Sequence, residues 1–119
     1  MCGIAGSVHF DPLRPACGEQ VTRMTRALVH RGPDDEGLHA RGPAAFGFRR
    51  LSIVDLRPEG NQPHFNEDAG IFSVVNGEIY NHAELRDELA KKGHALRSRC
   101  DVEVVPHLYE EYGIELWTS

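Results

Sequence analysis

Met1-Cys2-Gly3-Ile4-Ala5-Gly6 opens the chain, and Ser7-Val8-His9-Phe10 continues it with polar and apolar residues in alternation. Small and β-branched residues in this pattern predict a strand over residues 3–10, beginning almost at the terminus. Removal of Met1, expected when a small side chain follows it, leaves Cys2 with a thiol and a free α-amino group on one residue. Their ordinary pKa values are about 8.5 and about 7.7–8.0, so moving the thiol proton to the amine costs on the order of 1 kcal/mol. A nucleophile and its base then coincide on the first residue of a rigid strand. A cysteine in second place is also what an ordinary start site produces by accident, and position alone does not separate the two readings.

The 119 residues suffice for one domain with one modest core. An apolar fraction of 40% and a charged fraction of 26% are those of a folded, water-soluble chain. A net charge of -5 leaves no excess of Lys and Arg to neutralise phosphates, which excludes nucleic acid and anionic membrane surfaces as expected partners. No apolar run approaches the length of a membrane span. Cys2, Cys17 and Cys100 are odd in number, widely spaced and preceded by no leader, so a cytoplasmic location is expected. The seven histidines include no pair three to five residues apart, and there is no Cys-x-x-Cys, so no metal site is expected.

Working along the chain, Val21, Met24, Ala27 and Leu28 predict a helix over residues 18–29 with one buried face. His30-Arg31-Gly32-Pro33-Asp34 stops it, since Pro33 disfavours helical geometry before it. Residues 36–40 and 44–49 read as a hairpin around Arg41-Gly42-Pro43. Locally, Arg50 reads as a solvated arginine at a strand end. Residues 57–70 read as loop. The β-formers of residues 71–75 predict a central strand, and Asn76-Gly77 predicts a hairpin with Glu78-Ile79-Tyr80 returning. Asn81 is expected to cap a helix, with Glu84 in capping-box spacing, Leu85 and Leu89 on one face and Gly93 beyond its end. A last helix is expected from Asp101, with Val105, Leu108, Tyr109 and Tyr112 inward, a late start or kink at Pro106, and Gly113 as the stop.

Met1-Cys2-Gly3-Ile4, His30-Arg31-Gly32-Pro33-Asp34, Arg50-Leu51-Ser52-Ile53-Val54-Asp55, Val75-Asn76-Gly77-Glu78-Ile79-Tyr80-Asn81 and Cys100-Asp101-Val102-Glu103-Val104 come in this order. Together they resemble the glutaminase domain of glutamine-hydrolysing asparagine synthetases, within the class II glutamine amidotransferases. The resemblance implies an α+β fold, the N-terminal-nucleophile αββα sandwich of two sheets between helix layers. It implies Cys2 as nucleophile, forming a γ-glutamyl thioester from L-glutamine and releasing ammonia. Asn76 and Gly77 are implied as the oxyanion hole. Arg50 is implied to grip the α-carboxylate, with the backbone of Leu51, Ser52, Ile53 and Val54 lining the pocket and Asp101 with Glu78 facing the α-ammonium. The segment Arg31-Gly32-Pro33-Asp34 is expected to shape the pocket loop, and Cys17 and Cys100 match no catalytic position.

The same resemblance implies that further strands and helices follow, and then a synthetase domain that uses ATP and Mg. Residues 1–119 are therefore expected to form a partial amidotransferase domain with no cofactor of its own. Its ammonia is meant for a synthetase domain or companion chain that amidates aspartate, and unpaired strand edges favour a homo-oligomer. Phe48, where relatives often carry a histidine, and Pro106 depart from the pattern. A second reading, a non-catalytic remnant or partner-binding module that keeps the glutamine pocket, stays open beside the glutaminase.

Overall fold

A computed structural model describes residues 2–51 and 61–118. The chain divides into two compact units, the first holding residues 1–53, 61–63 and 74–76 and the second the remainder. Helices and antiparallel strands make both, an α+β composition.

In the first unit β1 (Gly3–Val8), β2 (Asp35–Arg41) and β3 (Ala44–Arg50) form one antiparallel sheet in the order β1-β3-β2. Gly42, at φ +55°, opens the two-residue turn between β2 and β3, where only glycine reaches a positive φ without strain. The hairpin read from the sequence is thus present. Its second strand is the central one, and the residues paired across it run from Gly3 opposite Arg49 to Val8 opposite Ala44. Ala45, Phe48 and Arg50 on β3 are all buried.

Helix α1 (Gly18–Arg26), shorter than the 18–29 read from the sequence, lies on this sheet with only part of the predicted face inward. Val21 and Thr25 are buried, whereas Met24 and Ala27 are exposed. The reason is Gly47: a Cβ there would stand 1.8 Å from Thr25 Oγ1, so the bare backbone of β3 admits the helix at Thr25. The Thr25 hydroxyl donates back to Val21 O at 2.7 Å and enters the core without an unpaired polar group.

Residues 71–75 do not form the expected central strand. Only Phe72–Ser73 (β5) is extended in a ladder, antiparallel to His64–Phe65 (β4), a strand inside the stretch read as loop. Gln62 explains where the run stops in the first unit. Its side-chain amide accepts the Val75 N–H at 2.6 Å and donates to Val75 O at 3.0 Å, taking the place of a neighbouring strand. The Asn76-Gly77 hairpin is also absent, because residues 78–80 form no strand and the Ile79 N–H is taken by the Asp101 carboxylate at 2.6 Å.

In the second unit α2 (His82–Lys91) and α3 (Val104–Tyr112) pack through Leu89, Val104 and Leu108. Asn81 stands at the N-cap of α2, yet makes no side-chain cap bond, so the expected capping box does not close. Gly93, at φ +93°, follows the helix as expected. Residues 101–103 make a single 3₁₀ turn before α3, so the helix starts late and Pro106 falls in its first turn, where a missing N–H costs nothing. Tyr109 is exposed rather than inward. Glu103, buried at that turn, accepts the N–H groups of Arg97 and Ser98 at 2.9 Å each, which satisfies its charge.

Candidate active site

Cys2 precedes β1 and is half-buried. Its sulfur lies 3.4 Å from the Leu51 nitrogen, and that N–H points at it as a donor. Its carbonyl accepts from Arg31 Nε at 3.1 Å. Cys2 is thus held at both its backbone and its sulfur. Since β1 and β3 are antiparallel neighbours, the start of one lies beside the end of the other, which brings residue 2 to residue 51.

The His30-Arg31-Gly32-Pro33-Asp34 stretch wraps this same corner. Arg49 Nε donates to Gly32 O at 2.8 Å, and the Asp34 N–H donates to Arg50 O at 3.0 Å. A Cβ on Gly32 would meet Arg49 C and O at 2.4 Å and the Arg50 nitrogen at 2.6 Å, backbone atoms with no room to turn aside. Gly32→Ala is therefore expected to lower stability by about 1–3 kcal/mol and to displace Arg50 and Leu51 from Cys2. Urea denaturation of the variant, with reaction of Cys2 toward an alkylating probe, checks both effects.

Arg50 is buried, against the local expectation of a solvated strand end. Its Nη1 donates to Asn61 Oδ1 at 2.6 Å, and Asn61 Nδ2 donates in turn to Asp35. This chain of bonds ties the guanidinium to Asp35 at the start of β2. Asn76 belongs to the same compact unit as Cys2, Arg50 and Leu51. Ser52, Ile53 and Val54 lie outside the described residues.

Gly77, Glu78 and Asp101 belong to the second unit. Asp101 is buried, with Oδ2 on the Ile79 N–H and Oδ1 3.9 Å from Cys100 Sγ, so it anchors the segment that carries Glu78. A cleft of about 240 Å³ in this unit is lined by Leu85, Val105, Leu108 and Trp117 and by none of the predicted site residues.

A family model described as a glutamine amidotransferase domain matches residues 1–119. The chain belongs to this family. It is 46% identical over 113 residues to asparagine synthetase (glutamine-hydrolyzing) 1 of Lotus japonicus, covering 95% of this chain and 19% of that protein. With asparagine synthetase (glutamine-hydrolyzing) 1 of Arabidopsis thaliana it shares 45% over 115 residues, 97% of this chain and 19% of the relative. With asparagine synthetase (glutamine-hydrolyzing) 2 of Bacillus subtilis it shares 46% over 116 residues, 96% and 15% respectively. The chain thus spans about a fifth of the length of these relatives. No described helix is long and apolar enough to cross a membrane.

Sequence reasoning singled out Cys2 and Arg50 but missed Arg31 and Asn61 as the groups that bond them, and Gln62 as the group that bonds Val75. Arg31 was detectable within its motif, though not its target, because the Cys2 carbonyl is 29 positions away. Asn61 and Gln62 sit in a stretch whose composition says only loop.

A further polar cluster in the second unit takes no part in these roles. It joins Glu67, His94, His107 and Glu110. Burial pushes the His107 imidazole below its ordinary value. Burial also acts downward on His94, but hydrogen bonding to Glu111 and the charge of Glu67 outweigh it and raise the net value. Glu67 feels the opposite balance: burial acts upward, and the Ala95 N–H together with the nearby histidines brings its carboxyl below the usual range.

Proposed function

We propose that the chain is the glutamine-hydrolysing part of an asparagine synthetase, a class II amidotransferase on the N-terminal-nucleophile sandwich. The observation that carries this reading is the Cys2 sulfur 3.4 Å from the Leu51 nitrogen, in a unit that also holds a buried Arg50 hydrogen-bonded to Asn61. A thiol and a hydrogen-bonded guanidinium in one unit suit a substrate that bears a carboxylate at one end and an amide at the other.

With Met1 removed, the α-amine of Cys2 takes the thiol proton and the sulfur attacks the side-chain amide carbon of L-glutamine. Asn76 Nδ2 and the Gly77 N–H serve the developing oxyanion. The C–N bond then breaks, the amine returns its proton to the leaving nitrogen, and ammonia departs from a γ-glutamyl thioester. Water activated by the same amine attacks the thioester, freeing glutamate and restoring the thiol. Arg50 pairs with the α-carboxylate along the backbone of residues 51–54, and Asp101 with Glu78 faces the α-ammonium. The relatives are named as glutamine-hydrolyzing synthetases, and the ammonia is destined for ATP- and Mg-dependent amidation of aspartate by a synthetase domain, in the cytoplasm.

Purified chain incubated with L-glutamine is expected to release glutamate and ammonia in equal amounts. No release from a folded sample overturns the reading in favour of a non-catalytic module. Arg50→Lys replaces a bidentate fork by a point charge and is expected to raise KM for glutamine at least tenfold with a smaller change in kcat. A steady-state titration checks that split.

A further inference from the structure

His94 Nδ1, His107 Nδ1 and Glu67 Oε1 stand 3.1 Å apart along every edge of a triangle. Each imidazole Nδ1 has one in-plane position, which holds either a proton or a lone pair. No placement of protons therefore gives every edge its own hydrogen bond. A cation above the triangle satisfies all three atoms at once. A tetrahedral ion with bonds of about 2.0–2.1 Å sets its ligand atoms roughly 3.3–3.4 Å apart, close to the spacing seen. A carboxylate oxygen of Glu110 supplies a fourth donor, with Oε2 3.8 Å from His94 Nδ1 and all four ligand atoms within 4.8 Å of one another.

A second observation concerns the other face of His94. Its Nε2 lies 2.7 Å from Glu111 Oε1, and a proton on Nε2 donated to that carboxylate leaves the Nδ1 lone pair facing the triangle. This is how a carboxylate behind a histidine orients it as a metal ligand. His107 Nε2 is buried with no hydrogen-bond partner among the described residues, so Nδ1 is its interacting atom. The ligand oxygens are positioned by donors of their own: the Ala95 N–H donates to Glu67 Oε1 at 2.8 Å, and Asn66 Nδ2 donates to Glu110 Oε2 at 3.3 Å.

We propose that Glu67, His94, His107 and Glu110 form a structural site for a divalent transition cation, with zinc the best match to two imidazoles and two carboxylates. The donors come from three segments far apart in sequence: the stretch after β4, the stretch after α2, and one face of α3 at i and i+3. Binding would cross-link a unit whose apolar core is small. Glu67 and Glu110 are exposed, which gives the ion a way in. The site is independent of glutamine chemistry.

The test titrates Zn²⁺ into the reduced, chelator-stripped 119-residue chain against a chromogenic chelator, with Co²⁺ as a spectroscopic probe. The expected result is one ion per chain with Kd about 1 µM or tighter, a higher melting midpoint, and visible Co²⁺ bands without a thiolate charge-transfer band. Glu111→Gln should weaken binding by about 10–100-fold and His94→Gln by more, while Cys2→Ala leaves it unchanged. Glu67→Gln, at an exposed position, repeats the ligand test should His94→Gln lose its native circular dichroism. Absence of binding, binding that survives the ligand substitutions in folded protein, or a thiolate band in the Co²⁺ spectrum overturns the proposal.

Discussion

Cys2→Ala is expected to lower glutamine turnover by a factor on the order of 10⁶, the scale of loss when a hydrolase nucleophile is deleted. The alternative, in which Cys2 serves only as a general acid or base, predicts a loss of about 10²–10⁴. The substitution removes a half-buried sulfur whose described contacts are with Leu51, so the native fold should persist and circular dichroism should be unchanged. Retaining Met1 should be nearly as damaging, because the amine that takes the proton then lies inside a peptide bond. Intact mass identifies the processed form, and a chain fully active with Met1 attached would falsify the mechanism. Ammonia and glutamate must be followed together, since their equality separates hydrolysis from transfer to another acceptor.

Phe48→Ala should cost about 3–5 kcal/mol of stability. Phe48 sits in the central strand, paired with Ile4 on one side and Gly37 on the other, and its side chain is almost fully buried. Truncation there opens a cavity in the unit that holds Cys2 and Arg50, and a loss of this size is a large share of the roughly 5–15 kcal/mol by which domains are stable. Urea denaturation followed by fluorescence and circular dichroism measures it. A loss below about 1 kcal/mol would mean that Phe48 is not part of a close-packed core.

Much of the first unit was legible in the sequence because its signals are local. A strand at the terminus, a helix starting at Gly18 and a hairpin closed by glycine each depend on residues close together, although the helix ends at Arg26 rather than at residue 29. The candidate nucleophile was equally open to a local reading, since a thiol and an amine on one residue need no partner from elsewhere. The buried face of α1 was misread because periodicity cannot see Gly47, whose missing side chain determines that Thr25 rather than Met24 enters the core. The strand over residues 71–75 was overextended because its apolar content suits a sheet, while a side chain from position 62 supplies the hydrogen bonds at Val75.

What the sequence by itself determined is therefore the chemistry on offer: Cys2 at the start, the arginine at position 50, the ordered motifs that mark the family, and the existence of most helices and strands. Only the tertiary structure decided which backbone groups hold those residues. The antiparallel pairing of β1 with β3 brings Cys2 to Leu51, 49 positions away, and Gly32 makes room for the chain beside Arg50. It likewise gathers Glu67, His94 and His107, whose spacing in the sequence carries no ligand pattern. Contacts of this kind depend on how far apart elements lie after folding, and hydrophobic periodicity records only which side of each element turns inward.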